Sequence, residues 1–177
     1  MAASTHVLLI TGTPGVGKTT LVKKAVQSLA DRKLAGFYTE EIRAGKVREG
    51  FALVMLQGKR FIMAHVDHAS ARRVGRYGVD VQAIDTAVEM TLSEDRHAEL
   101  YVIDEIGKME CFSDLFVKRV SALLDSGIPL VATVAQKGGG FISRVKHRDG
   151  VELWEVTRKN RDEMAARVVS WVGERLP

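Results

Sequence analysis

The sequence predicts an α/β fold in which a mostly parallel sheet carries helices on both faces. Three short apolar runs, at residues 6–10, 100–103 and 128–134, are typical of strands buried on both sides. Segments with helical spacing of apolar residues alternate with these runs, and that alternation indicates parallel strands joined by helical crossovers. Neither a repeat nor a linker divides the 177 residues, so we predict a single domain spanning residues 1–177.

The first half of the chain begins with the strand at 6–10, a turn rich in glycine and proline at 11–17, and a helix. That helix has an apolar face made by Leu21, Val22, Ala25, Val26 and Leu29. Between residues 36 and 65, three β-prone runs are separated by glycine turns at 44–46 and 57–59, which predicts antiparallel hairpins inserted after the first helix. The polar, basic residues 67–77 are predicted to form a loop.

The second half contains three more helices by pattern. Asp80 and Ser113 each precede a run with helical periodicity and are predicted to cap it, and Gly127 ends the second of these helices. The glycine-rich segment 136–140 ends the third buried strand, residues 153–156 are predicted to form a short last strand, and a final helix begins near Asn160.

The composition of the chain limits the classes of protein to which it can belong. No apolar run approaches the roughly 20 residues of a membrane span, and the first apolar run is too short for a signal-peptide core. The single cysteine, Cys111, favours a reducing cytoplasmic location, and we interpret it as a buried side chain rather than a reactive thiol. The net charge of +4 is mild; nucleic-acid binding is possible but unsupported, because no aromatic residues interleave the basic groups.

The strongest functional signal lies between the first strand and the first helix. There the chain matches the phosphate-binding pattern G-x-x-x-x-G-K-[ST], with glycines that let backbone N–H groups point at phosphate oxygens. Lys18 is predicted to act catalytically on the β- and γ-phosphates, and the Thr19 hydroxyl to ligate Mg²⁺. The predicted nucleotide-binding residues of this P-loop are Gly12, Thr13, Pro14, Gly15, Val16, Gly17, Lys18, Thr19 and Thr20.

Two acidic residues end the second buried strand. Asp104 is placed to bind Mg²⁺, directly or through water, together with Thr19. Glu105 is predicted to orient and deprotonate an attacking water molecule, and its alternative interpretation is a solvated residue at a strand end. No Asn-Lys-x-Asp motif is present, which argues against guanine selectivity of the Ras type.

The chain resembles the small cancer-related nucleoside-triphosphatase family. The resemblance rests on residues 12–20, 36–43 and 102–110, with shorter matches at 74–80 and 156–161, and it covers nearly the whole chain. It implies hydrolysis of ATP, GTP and other nucleoside triphosphates to the diphosphate and phosphate, and a RecA-like fold with additional strands. Carried onto the second motif, it implies nucleotide binding by Val102, Ile103, Asp104, Glu105, Ile106, Gly107 and Lys108.

Several polar residues have two interpretations at this stage, one near the phosphates and one as ordinary structural groups. Lys108, Glu110 and Thr133 could approach the γ-phosphate, and Glu40 and Glu41 are expected at a hairpin edge near the site. Arg144 or Arg148 could act as an arginine finger, and Arg161 could stack on the base.

The sequence leaves three functions open. The first is Mg²⁺-dependent hydrolysis of nucleoside triphosphates. The second is a small-molecule or nucleoside kinase, with the β insertion or the 67–77 loop holding the acceptor. The third is a nucleotide switch associated with RNA, which would bind nucleotide without turnover.

Overall fold

A computed structural model describes residues 5–93 and 97–176. In these residues one sheet contains nine strands, which are β1 Val7–Thr11, β2 Leu34–Ala44, β3 Val47–Met55, β4 Arg60–His65, β5 Arg73–Val74, β6 Tyr77–Val79, β7 Leu100–Ile106, β8 Leu130–Val134 and β9 Val151–Glu155. The helices are α1 Lys18–Ser28, α2 Val81–Thr91, α3 Asp114–Asp125, α4 Gly140–Lys146 and α5 Arg161–Gly173, and a 3₁₀ turn spans Glu110–Phe112.

The strand order is β5-β6-β4-β3-β2-β7-β8-β1-β9. Strands β2, β7, β8, β1 and β9 pair in parallel, whereas β3, β4, β5 and β6 extend the β2 edge through antiparallel pairs. Strand β8 lies between β7 and β1. The predicted mostly parallel sheet and the predicted antiparallel insertion are both confirmed, and the insertion continues the main sheet.

Helices cover both faces because successive strand residues point to opposite sides. Leu8 and Ile10 pack with α1 and α5 on one face, whereas Val7 and Leu9 pack on the other face with α2, α3 and α4. The predicted caps are confirmed: the Asp80 carboxylate accepts a hydrogen bond from the Ala83 amide at 3.0 Å, and the Ser113 hydroxyl accepts one from the Phe116 amide at 2.9 Å.

Two local predictions were wrong or incomplete. The predicted loop at 67–77 contains β5 and the start of β6, which pair as a small edge hairpin turning at Gly75. Its basic residues are compatible with a strand because an edge strand presents one side to solvent. The glycine-rich segment 136–140 does end β8, but it leads into α4, whose two buried residues, Ile142 and Val145, are too few to show a helical period.

Within the described ranges, no helix is both long enough and apolar enough for a membrane span.

Candidate active site

The P-loop turns tightly around the start of α1. Gly17 precedes the helix with φ of 114°, and Gly15 has φ of 77°, conformations that glycine adopts without strain. A Cβ at Gly12 would lie 2.6 Å from the Val156 carbonyl oxygen, so this position requires glycine for a close approach to the segment after β9. The loop thereby places the positive N-terminal end of α1 at the carboxyl end of β1.

Lys18 is held along the P-loop. Its ammonium group donates to the Gly12 carbonyl oxygen at 2.9 Å, and the residue is 9% exposed. A cation held in this way needs no carboxylate partner. It therefore stays available to an anionic ligand.

Asp104 joins the two halves of the site. Although it is 1% exposed, its Oδ2 accepts hydrogen bonds from the Thr19 hydroxyl at 2.7 Å and the Thr39 amide at 3.3 Å. Its Oδ1 accepts one from the Thr133 hydroxyl at 2.6 Å. Three donors therefore fix both carboxylate oxygens, and they come from α1, β2 and β8.

Burial sets the acid–base character of this aspartate. It raises the pKa of Asp104, while the hydrogen bonds from Thr133, Thr19 and the Thr39 amide and the charge of Lys18 act in the opposite direction. A charge held in such surroundings is stabilised by a nearby cation, which is the electrostatic condition for a metal ligand.

Glu105 and Glu110 approach each other across Gly107. A Cβ at Gly107 would lie 2.9 Å from the Glu105 Oε1 and 2.9 Å from the Glu110 Oε2, so the missing side chain makes room for both carboxyl groups. Burial and the nearby Asp104 raise the pKa of Glu105. Burial, and then the charge of Glu105, raise the pKa of Glu110 to about 8.

These groups surround a cavity of about 740 Å³ at the carboxyl end of the sheet. The predicted site residues that line it are Pro14, Gly15, Gly17, Lys18, Thr19, Thr20, Asp104, Glu105 and Lys108. The predicted residues outside its lining are Gly12, Thr13, Val16, Val102, Ile103, Ile106 and Gly107. Of the latter, the side chains of Val102, Ile103 and Ile106 are buried in the core, because each lies inside β7.

The structure divides the polar residues that had two interpretations into those that line the cavity and those that do not. Glu110, Glu40 and Glu41 line the cavity. In contrast, Arg148 pairs with Asp125 at the end of α3, and Arg144 lies over the Phe141 ring. The prediction that either arginine reaches the phosphates gains no geometric support.

Two further predictions concern residues outside this cavity lining. Arg161 donates to the Val16 carbonyl oxygen at 3.4 Å and so lies against the outer side of the P-loop. Burial raises the pKa of Cys111 to about 12, which keeps the thiol protonated and agrees with its interpretation as an unreactive side chain.

Sequence reasoning missed Thr39. Besides its amide contact, its hydroxyl donates to the Asp104 main-chain oxygen at 2.6 Å. The signal was present, because Thr39 belongs to the 36–43 block that carries the resemblance, but the pairing of β2 beside β7 had not been inferred.

The chain has clear relatives among known proteins. A family model described as NTPase matches residues 7–169. Nucleoside-triphosphatase THEP1 of Thermotoga petrophila is 40% identical over 163 residues, covering 92% of this chain and 90% of the relative. The human cancer-related nucleoside-triphosphatase is 36% identical over 186 residues, covering 94% and 96%.

Solved structures agree with these sequence relations. The crystal structure of THEP1 from Aquifex aeolicus has a TM-score of 0.79 and 36% identity, and the match covers 93% of this chain and 98% of that one. The solution structure of the human protein has a TM-score of 0.80 and 34% identity, with 96% and 98% covered. With a matching family model, similar relatives and the same fold, the chain belongs to the NTPase family.

Proposed function

We propose that the chain hydrolyses nucleoside triphosphates to the diphosphate and inorganic phosphate, with Mg²⁺ and with little preference among bases. Membership of the NTPase family and the names of the relatives support the activity. The observation that carries the proposal is the 2.7 Å hydrogen bond between Thr19 and Asp104. It joins the P-loop to the acidic strand end in the cavity that Lys18 and Glu105 also line.

The P-loop binds the triphosphate through its amides, the helix terminus and Lys18. Because Lys18 is nearly buried, its charge acts in a low-dielectric environment and stabilises the negative charge that grows on the leaving diphosphate. These groups are in position before the substrate arrives, so little reorganisation is required.

Glu105 directs the attacking water. It is partly exposed to the cavity next to the buried Asp104, and a raised pKa brings a carboxylate base closer to neutral pH, where general-base catalysis is most effective. Lys108 also lines this side of the cavity, where its charge favours an anionic ligand.

The residues fit a magnesium ion. Mg²⁺ prefers oxygen ligands and usually takes one or two from the protein and the rest from phosphates and water. The Thr19 hydroxyl and the Asp104 carboxylate supply such oxygens, and no cluster of three or more acidic, histidine or cysteine ligands occurs in residues 5–93 and 97–176. When bound there, Mg²⁺ would neutralise phosphate charge.

Broad base preference follows from the sequence of the chain. It lacks the Asn-Lys-x-Asp motif that reads guanine. The cavity residues that carry the proposed chemistry act on phosphates, which all nucleoside triphosphates share.

Phosphate release from ATP, GTP, CTP and UTP tests the proposal with the native chain and Glu105→Gln. We expect the native chain to hydrolyse all four in the presence of Mg²⁺. The variant should bind nucleotide but hydrolyse it about 10²-fold more slowly, the scale of general-base removal.

Glu89→Gln is the matched control, because Glu89 is an exposed residue of α2. It should hydrolyse at the native rate. Equal rates for Glu105→Gln and the native chain would show that Glu105 does not direct the water, and a native chain without phosphate release would refute the function itself.

A further inference from the structure

The cavity continues well beyond the groups that hold the phosphates. Besides the P-loop and the acidic strand end, it is lined by Phe51, Met63 and Val74 and by charged side chains of β2 and β3. Followed from β1, which leads into the P-loop, the sheet places β3, β4 and β5 beyond β7, which carries the two acidic residues. This part of the cavity therefore lies past those acidic residues, on the side where the γ-phosphate is proposed to bind.

The antiparallel extension of the sheet builds this far wall. Phe51 belongs to β3, Met63 to β4 and Val74 to β5, and Met109 faces them from the segment that leads into the 3₁₀ turn. Met63 is 1% exposed, and the Phe51 ring packs edge-on against Tyr77 at 5.2 Å between centroids. These side chains thus form an apolar patch anchored in the core, and beside it the guanidinium group of Arg48, which pairs with Glu41, lies 5.0 Å from the centroid of the Phe51 ring.

A hydrolase needs room at the γ-phosphorus for one water molecule, which occupies about 30 Å³ in the liquid. The cavity of about 740 Å³ includes the proposed triphosphate site, where polar groups bind the phosphates. The apolar side chains beyond the two acidic residues contribute nothing to binding phosphate or water, whereas they do stabilise the carbon body of a small molecule. The far wall thus indicates a second organic ligand.

We propose that this apolar wall, formed by Phe51, Met63, Val74 and Met109, binds a small alcohol with an apolar body that accepts the γ-phosphoryl group in place of water. This inference rests on the proposed function, because it uses the same triphosphate and the same phosphate-binding groups. Hydrolysis is then the reaction that occurs when the acceptor is absent.

The transfer step balances without a further reactant. The acceptor oxygen forms a bond to the γ-phosphorus while the bond from that phosphorus to the β–γ bridging oxygen breaks. The diphosphate leaves with the electron pair, and the hydroxyl proton passes to Glu105. The products are a phosphate monoester and the nucleoside diphosphate.

Glu110 directly follows Met109, one of the four wall residues. It is 4% exposed, lines the cavity, and faces Glu105 across Gly107. Its carboxyl group can form a hydrogen bond with the acceptor hydroxyl and so direct that oxygen toward Glu105. A site that binds a hydroxyl in this way distinguishes an alcohol from an apolar molecule of the same shape.

The experiment uses ATP labelled at the γ-phosphate, with benzyl alcohol or glycerol added at equal concentration, and measures the ratio of phosphate ester to inorganic phosphate. With the native chain we expect benzyl phosphate, at a ratio roughly tenfold or more above that for glycerol, because an apolar pocket discriminates even single methylene groups on that scale. Val74→Trp fills the wall and should lower the benzyl ester ratio roughly tenfold or more. Met109→Trp fills it from the other side and provides a second test if the first variant does not fold.

Val47→Trp is the matched control, because Val47 is 54% exposed on β3 and lies outside the cavity lining. Its ester ratio should equal the native one. Phosphate release without ester from either alcohol would overturn this inference and leave hydrolysis standing, whereas the absence of both products would refute the proposed function. A Val74→Trp variant with altered ATP affinity and an unchanged ester ratio would assign the wall to the nucleotide and also overturn the inference.

Discussion

The buried carboxyl group of Glu110 should make the stability of the chain depend on pH. Glu110 is 4% exposed, and burial, followed by the charges of Glu105 and Asp104, raises its pKa from 4.5 to about 8 in the folded chain. Hydrogen bonds from the Gly107 amide and from its own amide act in the opposite direction. Glu110→Gln keeps the shape and an oxygen acceptor and removes the titration.

The direction of this pH dependence follows from the numbers of protons that the folded and unfolded chains bind. Because the folded pKa is the higher one, the folded chain binds more protons than the unfolded chain between about pH 4.5 and pH 8. The contribution of Glu110 to stability is therefore complete below this window and is lost as the pH rises through it. With 1.36 kcal/mol for each pKa unit, the loss between pH 5 and pH 9 is about 4 kcal/mol.

Urea unfolding of the native chain and Glu110→Gln at pH 5 and pH 9 measures this effect. The variant should gain about 4 kcal/mol relative to the native chain between the two pH values. Glu174→Gln is the control, since Glu174 has a 69% exposed side chain and its replacement should change stability by less than about 1 kcal/mol. A relative gain for Glu110→Gln no larger than that of the control would refute the argument that burial holds this carboxyl group neutral.

Three further substitutions test the site. Lys18→Ala should weaken nucleotide binding by about 10-fold to 100-fold, the equivalent of one charged hydrogen bond, whereas Lys24→Ala, on the exposed face of the same helix, should bind normally in a titration with nucleotide. Thr133→Val should lower the free energy of unfolding by about 1.5 to 3 kcal/mol by removing the 2.6 Å hydrogen bond to a buried carboxylate, and Thr133→Ser should recover most of it. Gly107→Ala should slow hydrolysis about tenfold while nucleotide affinity stays within about threefold, because the added Cβ would displace two carboxyl groups. Gly173→Ala is its control and should show the native rate, because a Cβ there meets nothing within 4 Å.

The parts of the fold that depend on local pattern could be predicted from the sequence. Continuous apolar runs predicted β1, β7 and β8, and periodic apolar residues predicted α1, because each pattern is complete within a few residues. The P-loop was equally accessible, since its glycines, its lysine and its hydroxyl group are required at fixed spacing.

What could not be predicted depends on contacts between distant segments. The hydrogen bond from Thr39 to Asp104 joins residues 65 positions apart and requires knowing that β2 lies beside β7. The far wall of the cavity likewise combines single residues from β3, β4 and β5, which no single sequence pattern joins. The order of strands in the whole sheet decides which of these distant segments come together, and no local sequence pattern contains that order.

The position of Thr39 also connects the two parts of the cavity. Strand β2 pairs in parallel with β7, which carries Asp104, and antiparallel with β3, which carries Phe51. Its Thr39 donates both its hydroxyl and its amide to Asp104. A shift of β2 against β7 would therefore break one hydrogen bond to the buried carboxylate, at a cost of about 1.5 to 3 kcal/mol, and one to the main-chain oxygen of the same residue, at a cost of about 0.5 to 1.5 kcal/mol.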